Sequence, residues 1–147
     1  MGTLRNYSPQ FVSLSFQGIN ITGFVDGTFV EAERAEDGFT KKVGAGGDVV
    51  RVQSMDRSGK VTITLQAASP SNDLLLAIAR LDELTGIAGV GALMIKDANT
   101  LDTEPLAHAE SAWIMKIPKV ERGKDAAPCV WVFECSNLDL APSGAVL

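Results

Sequence analysis

Lys60-Val61-Thr62-Ile63-Thr64-Leu65-Gln66 alternates without a fault. Val61, Ile63 and Leu65 point to one side of an extended chain and Lys60, Thr62, Thr64 and Gln66 to the other, the period-two signature of an antiparallel strand with one dry face and one wet face. Similar alternation runs through Phe11 to Phe16, Thr28 to Arg34, Phe39 to Val43 and Val49 to Met55 on the N-terminal side. On the other side it returns at Ala92 to Lys96, Ala112 to Ile117 and Val130 to Cys135. Gln17-Gly18, Asp26-Gly27, Asp37-Gly38, Gly46-Gly47 and Ser58-Gly59 separate the early segments; turn signals at intervals of about ten residues are the mark of an all-β sandwich or barrel. The expectation is a mainly β, antiparallel sandwich or barrel whose backbone is a continuous meander from Thr28 to Gln66.

One segment departs from this period. Between Asn72 and Leu84 the apolar positions Leu74, Ile78, Leu81 and Leu84 follow helical spacing, with Ser71 or Asn72 placed to cap the start, Asp73 in the first turn and Gly86 beyond the end. The spacing predicts one amphipathic helix, over about residues 72–84, flanking the β structure and burying that stripe against it.

Composition sets the outer limits. With 147 residues, 46% hydrophobic and 21% charged, the chain is expected to be a single domain over residues 1–147 with flexible termini, large enough to fold without a metal or disulfide staple. Cys129 and Cys135 are six positions apart. On one strand they would lie about 20 Å apart, beyond the roughly 7 Å a disulfide spans, so both are expected as free thiols. No secretory leader pattern follows Met1, and no apolar run approaches the ~20 residues of a membrane span. Residence in a cytoplasm and no membrane insertion are therefore expected. The net charge of −5 disfavours tight, non-specific binding to phosphate backbones.

Catalytic chemistry finds little to work with. His108 is the single histidine; it has no nucleophile-elbow motif to serve and reads as a surface or edge side chain. One His and two Cys match no zinc spacing, and no Asp-rich calcium loop is present. Gly44-Ala45-Gly46-Gly47-Asp48 runs into a strand without a Lys-Ser/Thr pair, and Gly86-Ile87-Ala88-Gly89-Val90-Gly91 follows a helix instead of opening one, so both read as loops and not phosphate cradles. Glu31 and Glu33 would share a strand face about 7 Å apart, compatible with glycosidase carboxylates, but no aromatic sugar platform accompanies them. No catalytic, cofactor or metal site is expected, and the chain is read as a non-enzyme. What remains is a surface: the polar face of Lys60, Thr62, Thr64 and Gln66 suits strand-edge self-association or a water-filled lining, and an ordinary solvated sheet has the same spacing.

Several stretches are similar together to one family. Gly23-Phe24-Val25-Asp26-Gly27-Thr28-Phe29-Val30-Glu31, Glu36-Asp37-Gly38-Phe39, Met55-Asp56-Arg57-Ser58-Gly59, Val61-Thr62-Ile63-Thr64-Leu65 and Ser71-Asn72-Asp73-Leu74, followed by Leu93-Met94-Ile95-Lys96-Asp97, Ala112-Trp113-Ile114 and Trp131-Val132-Phe133, resemble the tail tube proteins of contractile-tailed bacteriophages. The likeness covers most of the chain and lies in the order and spacing of the pieces. It implies a structural virion protein that self-assembles into hexameric rings, stacked into an inner tail tube and built up in the host cytoplasm. It further implies a β-barrel lining the lumen, a sheath outside, the tape measure protein and then genomic DNA within, and baseplate and tail terminator proteins at the ends.

Under that resemblance the strands Val49 to Met55 and Lys60 to Gln66 are candidates for the inner barrel, with Arg51, Gln53, Thr62, Thr64 and Gln66 facing the channel, and Glu31 and Glu33 as a second lumen candidate. Gly44, Ala45, Gly46, Gly47 and Asp48, with the two chain ends, are candidates for ring-to-ring contacts. Asp56 and Arg57 are expected either to fix a turn or to form a subunit interface through an ion pair. The acidic balance then acquires a use, since a channel that lets DNA slide should not hold phosphate. The competing readings are a monomeric β-sandwich adaptor of a tail or baseplate, the tube of a related contractile injection machine, and, with least support, a glycan hydrolase.

Overall fold

The computed structural model describes residues 7–98 and 105–142. A 3-10 turn, Pro9–Phe11, leads into β1 (Val12–Phe16) and β2 (Ile19–Ile21), then β3 (Val30–Arg34), β4 (Phe39–Val43), β5 (Val49–Gln53) and β6 (Gly59–Leu65). Helix α1 (Ser71–Thr85) follows, and β7 (Gly91–Asp97), β8 (Ala107–Lys116), β9 (Cys129–Cys135) and β10 (Leu138–Leu140) complete the chain. The fold is mainly β and antiparallel, as the alternation implies.

Eight strands form one sheet in the order β2-β1-β7-β8-β9-β6-β3, with β10 paired to β8. β10 continues β9 along the same partner: Cys135 stands opposite Ala112 and Leu138 opposite Ala109, without a change of register. The sheet is rolled. Phe16 of β1 and Phe133 of β9 are separated by two intervening strands, yet their rings meet with centroids 4.9 Å apart. Val30 on the edge strand β3 and Ile95 on β7 line the same cleft of about 270 Å³. One face of the roll is therefore the core: Leu14, Phe16, Val61, Ile63, Leu65, Leu93, Ala109, Ala112 and Phe133 are all fully buried.

Gly59 marks where β6 begins, close against Leu138 of β10. A Cβ at this position would collide with the Leu138 side chain and the Glu33 carbonyl, so glycine is required by close approach. There Arg34 Nε donates to the Leu138 carbonyl at 2.9 Å, and the Leu138 N–H donates to the Arg57 carbonyl at 2.8 Å, tying β3 to β10.

The continuous meander is not what forms. β3 pairs with β6, Glu31 opposite Thr62 and Glu33 opposite Lys60, while β4 and β5 pair only with each other as a separate two-stranded sheet. The Ala35 N–H to Ser58 carbonyl bond and the Ser54 N–H to Gly38 carbonyl bond carry the pairing outward with a slip of one residue between them. The result is a long ribbon whose base is part of the sheet and whose distal half is an arm. Every residue of β4 and β5 is exposed. Alternation alone could not separate the two situations, because Val49, Val52 and Phe39 are apolar whether or not a core lies beneath them.

Helix α1 forms where expected and ends at Gly86, whose left-handed φ of 78° suits glycine. Its rotation differs from the expected one. Leu75, Ala79 and Ser71 are buried, whereas Leu74, Leu81 and Leu84 are 45%, 50% and 83% exposed. Polar ties around its first turn override the stripe. Trp131 Nε1 donates to Asn72 Oδ1 at 2.9 Å, Asn72 Nδ2 donates to the Gln66 carbonyl at 2.9 Å, and the Thr22 N–H donates to Ser71 Oγ at 2.9 Å. Ser71 and Asn72 are thus anchors to the sheet and not helix caps; the Ser71 N–H is received by Ser69 Oγ.

Strands β2 and β10, of three residues each, were too short for alternation to signal, and β8 begins five residues before the expected Ala112. Cys129 and Cys135 are free thiols. Burial, with the nearby Glu134 carboxylate second, pushes the Cys135 thiol up to about 11.

The rotation of α1 is checked by paired truncations. Leu75→Ala is expected to cost about 2–5 kcal/mol, and Leu84→Ala to stay within about 0.5 kcal/mol, both read from denaturant unfolding. A raised thiol pKa in the native state also means that the folded form resists ionisation. The Cys135 contribution is complete below the ordinary thiol value of 9.0 and is lost as pH rises towards about 11. Cys135→Ser is therefore expected to flatten the alkaline limb of a stability–pH curve between those values.

Candidate assembly surfaces

The sheet's outer face gathers part of the expected lining. β6 lies between β3 and β9, so Thr62 has Glu31 on one side and Val132 on the other, and Lys60 has Glu33 and Glu134. With the buried face held by Val61, Ile63 and Leu65, the pleat leaves Lys60, Thr62 and Thr64 on the opposite face, beside Glu31, Glu33, Val130, Val132 and Glu134. Lys116 of β8 stands opposite Val132 and joins them, so three carboxylates face two ammonium groups and the patch keeps a single net negative charge.

Gln66 lies just past β6, exposed, with its Nε2 donating to the Phe24 carbonyl at 3.2 Å and its N–H to the Gly23 carbonyl at 2.8 Å. It pins the loop after β2 to the sheet. Arg51 and Gln53 are not on this sheet; they belong to β5, on the arm. The two strands expected to lie side by side in one wall are therefore in separate ladders.

Gly44, Ala45, Gly46, Gly47 and Asp48 form the tip of the arm. The Gly44 N–H donates to the Asp48 carbonyl at 2.8 Å and the Gly47 N–H to the Gly44 carbonyl at 3.0 Å, with Gly47 at φ 88°. The tip is fully exposed, and Val43 and Val49 beside it are 61% and 64% exposed. The chain ends named with this loop, residues 1–6 and 143–147, lie outside the described residues.

Asp56 fixes a turn. Its Oδ1 accepts the Ser58 N–H at 2.9 Å, and hydrogen bonding from Ser58, side chain first and backbone second, holds the carboxyl below its ordinary value of 3.8. No ion pair joins it to Arg57 among the described residues; the part Arg57 plays is its carbonyl, which receives Leu138. The turn sits where the arm rejoins the sheet.

The other chemistry-bearing residues remain apart. His108 lies within β8, half-buried, opposite Met94 and Asp139 in the ladder. Among the described residues no group of three or more His, Cys, Asp or Glu side chains is positioned around a common point, and no helix is long and apolar enough to cross a membrane. The structure's unspent features are surfaces: a fully exposed arm, an acidic sheet face and an outward helix stripe.

A rolled antiparallel sheet with one flanking helix and a projecting ribbon defines a fold shared with tube and tube-end proteins of contractile injection systems. A chain of the anti-feeding prophage cap, the tube terminating cap, superposes with a TM-score of 0.62 at 11% identity, over 97% of this chain and 95% of that one. The sheath/tube terminator of an extracellular contractile injection system, PVC, in its extended state gives 0.63 at 12% identity, over 96% and 100%. A chain of the PVC sheath-tube complex in the extended state gives 0.55 at 13% identity, over 92% and 93%.

In sequence, residues 10–141 match the Bacteriophage PhiTE tail tube protein family, and the chain belongs to that family. Structural protein ORF10 of Pseudomonas phage KPP10 is 28% identical over 150 residues, covering 97% of this chain and 85% of that protein. The chain is thus a tail tube-like structural protein of a phage.

The Asp56 turn is open to a direct check. A carboxyl held low in the folded state contributes stability that is present above its ordinary value of 3.8 and is lost as pH falls through the lower native value. The protection of the Ser58 amide, its exchange rate compared with the unstructured rate at the same pH, is expected to be present at neutral pH, to be lost in that acid range, and to be absent at every pH in Asp56→Ala.

Proposed function

We propose that this chain is the repeating subunit of the inner tube of a phage tail, six copies closing a ring and rings stacking into the channel through which DNA leaves. The observation that carries the reading is the arm, because a two-stranded ribbon with both faces in water is marginally stable by itself. Family membership supplies the class of assembly in which a neighbouring copy covers it. Around the tube lies the sheath; the tape measure protein and then the genome occupy the lumen; baseplate and terminator proteins close the ends. Assembly takes place in the host cytoplasm and the product resides in the virion.

In this reading Glu31, Glu33, Thr62 and Thr64 line the channel. Their shared face sets Glu31, Glu33 and Glu134 around Lys60 and bears the hydroxyls of Thr62 and Thr64, so its carboxylates outnumber its cations and phosphates slide past it without being gripped. The arm tip, Gly44 to Asp48, reaches an adjacent ring.

A tube-terminating ring is the second reading. The superpositions on a terminating cap and a terminator, higher than that on the sheath-tube complex, favour it.

Negative-stain microscopy of the purified chain, with and without tail baseplates as initiators, separates these. Tubes of uniform diameter are expected. Single rings that never stack would select the terminator reading, and particles that stay monomeric even with initiators would overturn both. In a cryo-EM map of the tube, Glu31 and Glu33 are expected on the channel wall, and a predominantly basic wall would refute the sliding-surface role.

A further inference from the structure

Two surfaces of this chain are electrostatically unbalanced, in opposite senses. On the arm, Lys41 and Arg51 occupy directly opposite positions of the β4–β5 ladder. Like charges placed across strands repel, and no ion pair among the described residues neutralises either one. The Arg51 guanidinium lies over the Phe39 ring instead, 4.1 Å from its centroid. By register this same face ends in Val43 and Val49, both mostly in water.

On α1 the sign is reversed. A helix C-terminus is the negative end of its dipole and favours cations, but the last turn carries Asp82 and Glu83 with no basic residue, and the exposed Arg80 just before it offsets only one of the two. Alongside them Leu74, Leu81 and Leu84 stand exposed in one row. Asp82 is partly occupied by the Gly89 N–H, which it accepts at 3.0 Å; Glu83 has no such tie among the described residues.

We propose that the arm of one copy lies along the outward face of α1 in a neighbouring copy, with Lys41 and Arg51 at the acidic C-terminal turn and Val43 and Val49 on Leu81 and Leu84. The inference rests on the tube-subunit reading and deepens it by naming both halves of one contact. Charge is complementary and the dimensions agree. A five-residue strand spans about 16 Å, and the eleven residues of helix from Leu74 to Leu84 span about 16 Å. Because arm and helix face are different surfaces, the contact is head to tail, so it propagates into a ring or a stack and does not stop at a pair.

Carbodiimide, which joins an amine directly to a carboxylate, is applied to the assembled full-length protein and the linked peptides are read by mass spectrometry. Links between copies from Lys41 or Lys42 to Asp82 or Glu83 are expected. Links from those lysines to Glu31, Glu33 or Glu134, with none to α1, would overturn the proposal. Lys41→Glu with Arg51→Glu is expected to raise the concentration needed for assembly about tenfold or more, and Glu83→Lys added to that chain to restore it. Leu84→Asp removes the other half of the contact. Mixed with the double arm variant, it is expected to give two-copy particles that neither forms alone, since one supplies an intact arm and the other an intact helix face. All these positions are exposed, and unchanged circular dichroism confirms folding. Wild-type protein that never assembles would defeat the tube reading itself, whereas assembly unaffected by every variant would defeat only the arm-to-helix contact.

Discussion

Val61, Ile63 and Leu65 have no exposed surface, yet they stand on one face of a single large sheet. A sheet can hide one of its faces without a second sheet only by curling over it, and the helix alone is too small a lid. Phe16 against Phe133 is the contact that shows the roll, because it joins strands three places apart in the ladder order. Each fully buried side chain of this size contributes about 1.5–3 kcal/mol relative to exposure, so the inner face decides the architecture. Everything outside it is left to serve other purposes.

The roll also dictates how the arm leaves. With β6 between β3 and β9, both ends of the β3–β6 hairpin connection must exit at the Gly59 end, where Leu138 and the Glu33 carbonyl leave no space for a side chain. Arg34 and the Arg57 carbonyl clamp β10 there, and Asp56 shapes the return strand through Ser58. The arm is thus rooted in a tightly packed corner of the roll while β4 and β5 stay exposed along their whole length. A rigid root with a bare tip is what an intermolecular contact requires, since ordering a flexible segment on binding would consume part of the free energy gained.

This division explains which features were legible in the sequence. β6 and β9 could be read because their alternation coincides with real burial, and Gly86 because a left-handed helix end favours glycine. The helix rotation could not be read. Leu74, Leu81 and Leu84 repeat as regularly as the buried Leu75 and Ala79, and Ile78 of the expected stripe does pack against the core. The choice between the faces is made by Trp131, Gln66 and Thr22, which are distant in sequence. The arm failed for a related reason: Val43, Val49 and Val52 alternate as they would over a core, and hydropathy does not say whether the covering surface belongs to the same chain. Of the expected lining residues, Glu31, Glu33, Thr62 and Thr64 share a sheet face because strand parity fixes them. Arg51 and Gln53 do not join them, because the pairing partner of β5 is set by the topology.

Both misreadings fall on surfaces where apolar side chains remain in water, and that coincidence has a physical cause. Exposed apolar side chains are common singly, but contiguous rows of them are uncommon on proteins that act alone. In a chain that acts only as one of many copies, selection for assembly writes core-like patterns onto the outside, and a reading that assumes a self-sufficient monomer will assign those patterns to the inside. The acidic net charge fits the same logic. In the proposed tube, the carboxylates of one sheet face would repel phosphate while those at the end of α1 would offer counter-charge to the cations of the arm, so that a single sign of net charge would serve both a passage and a joint.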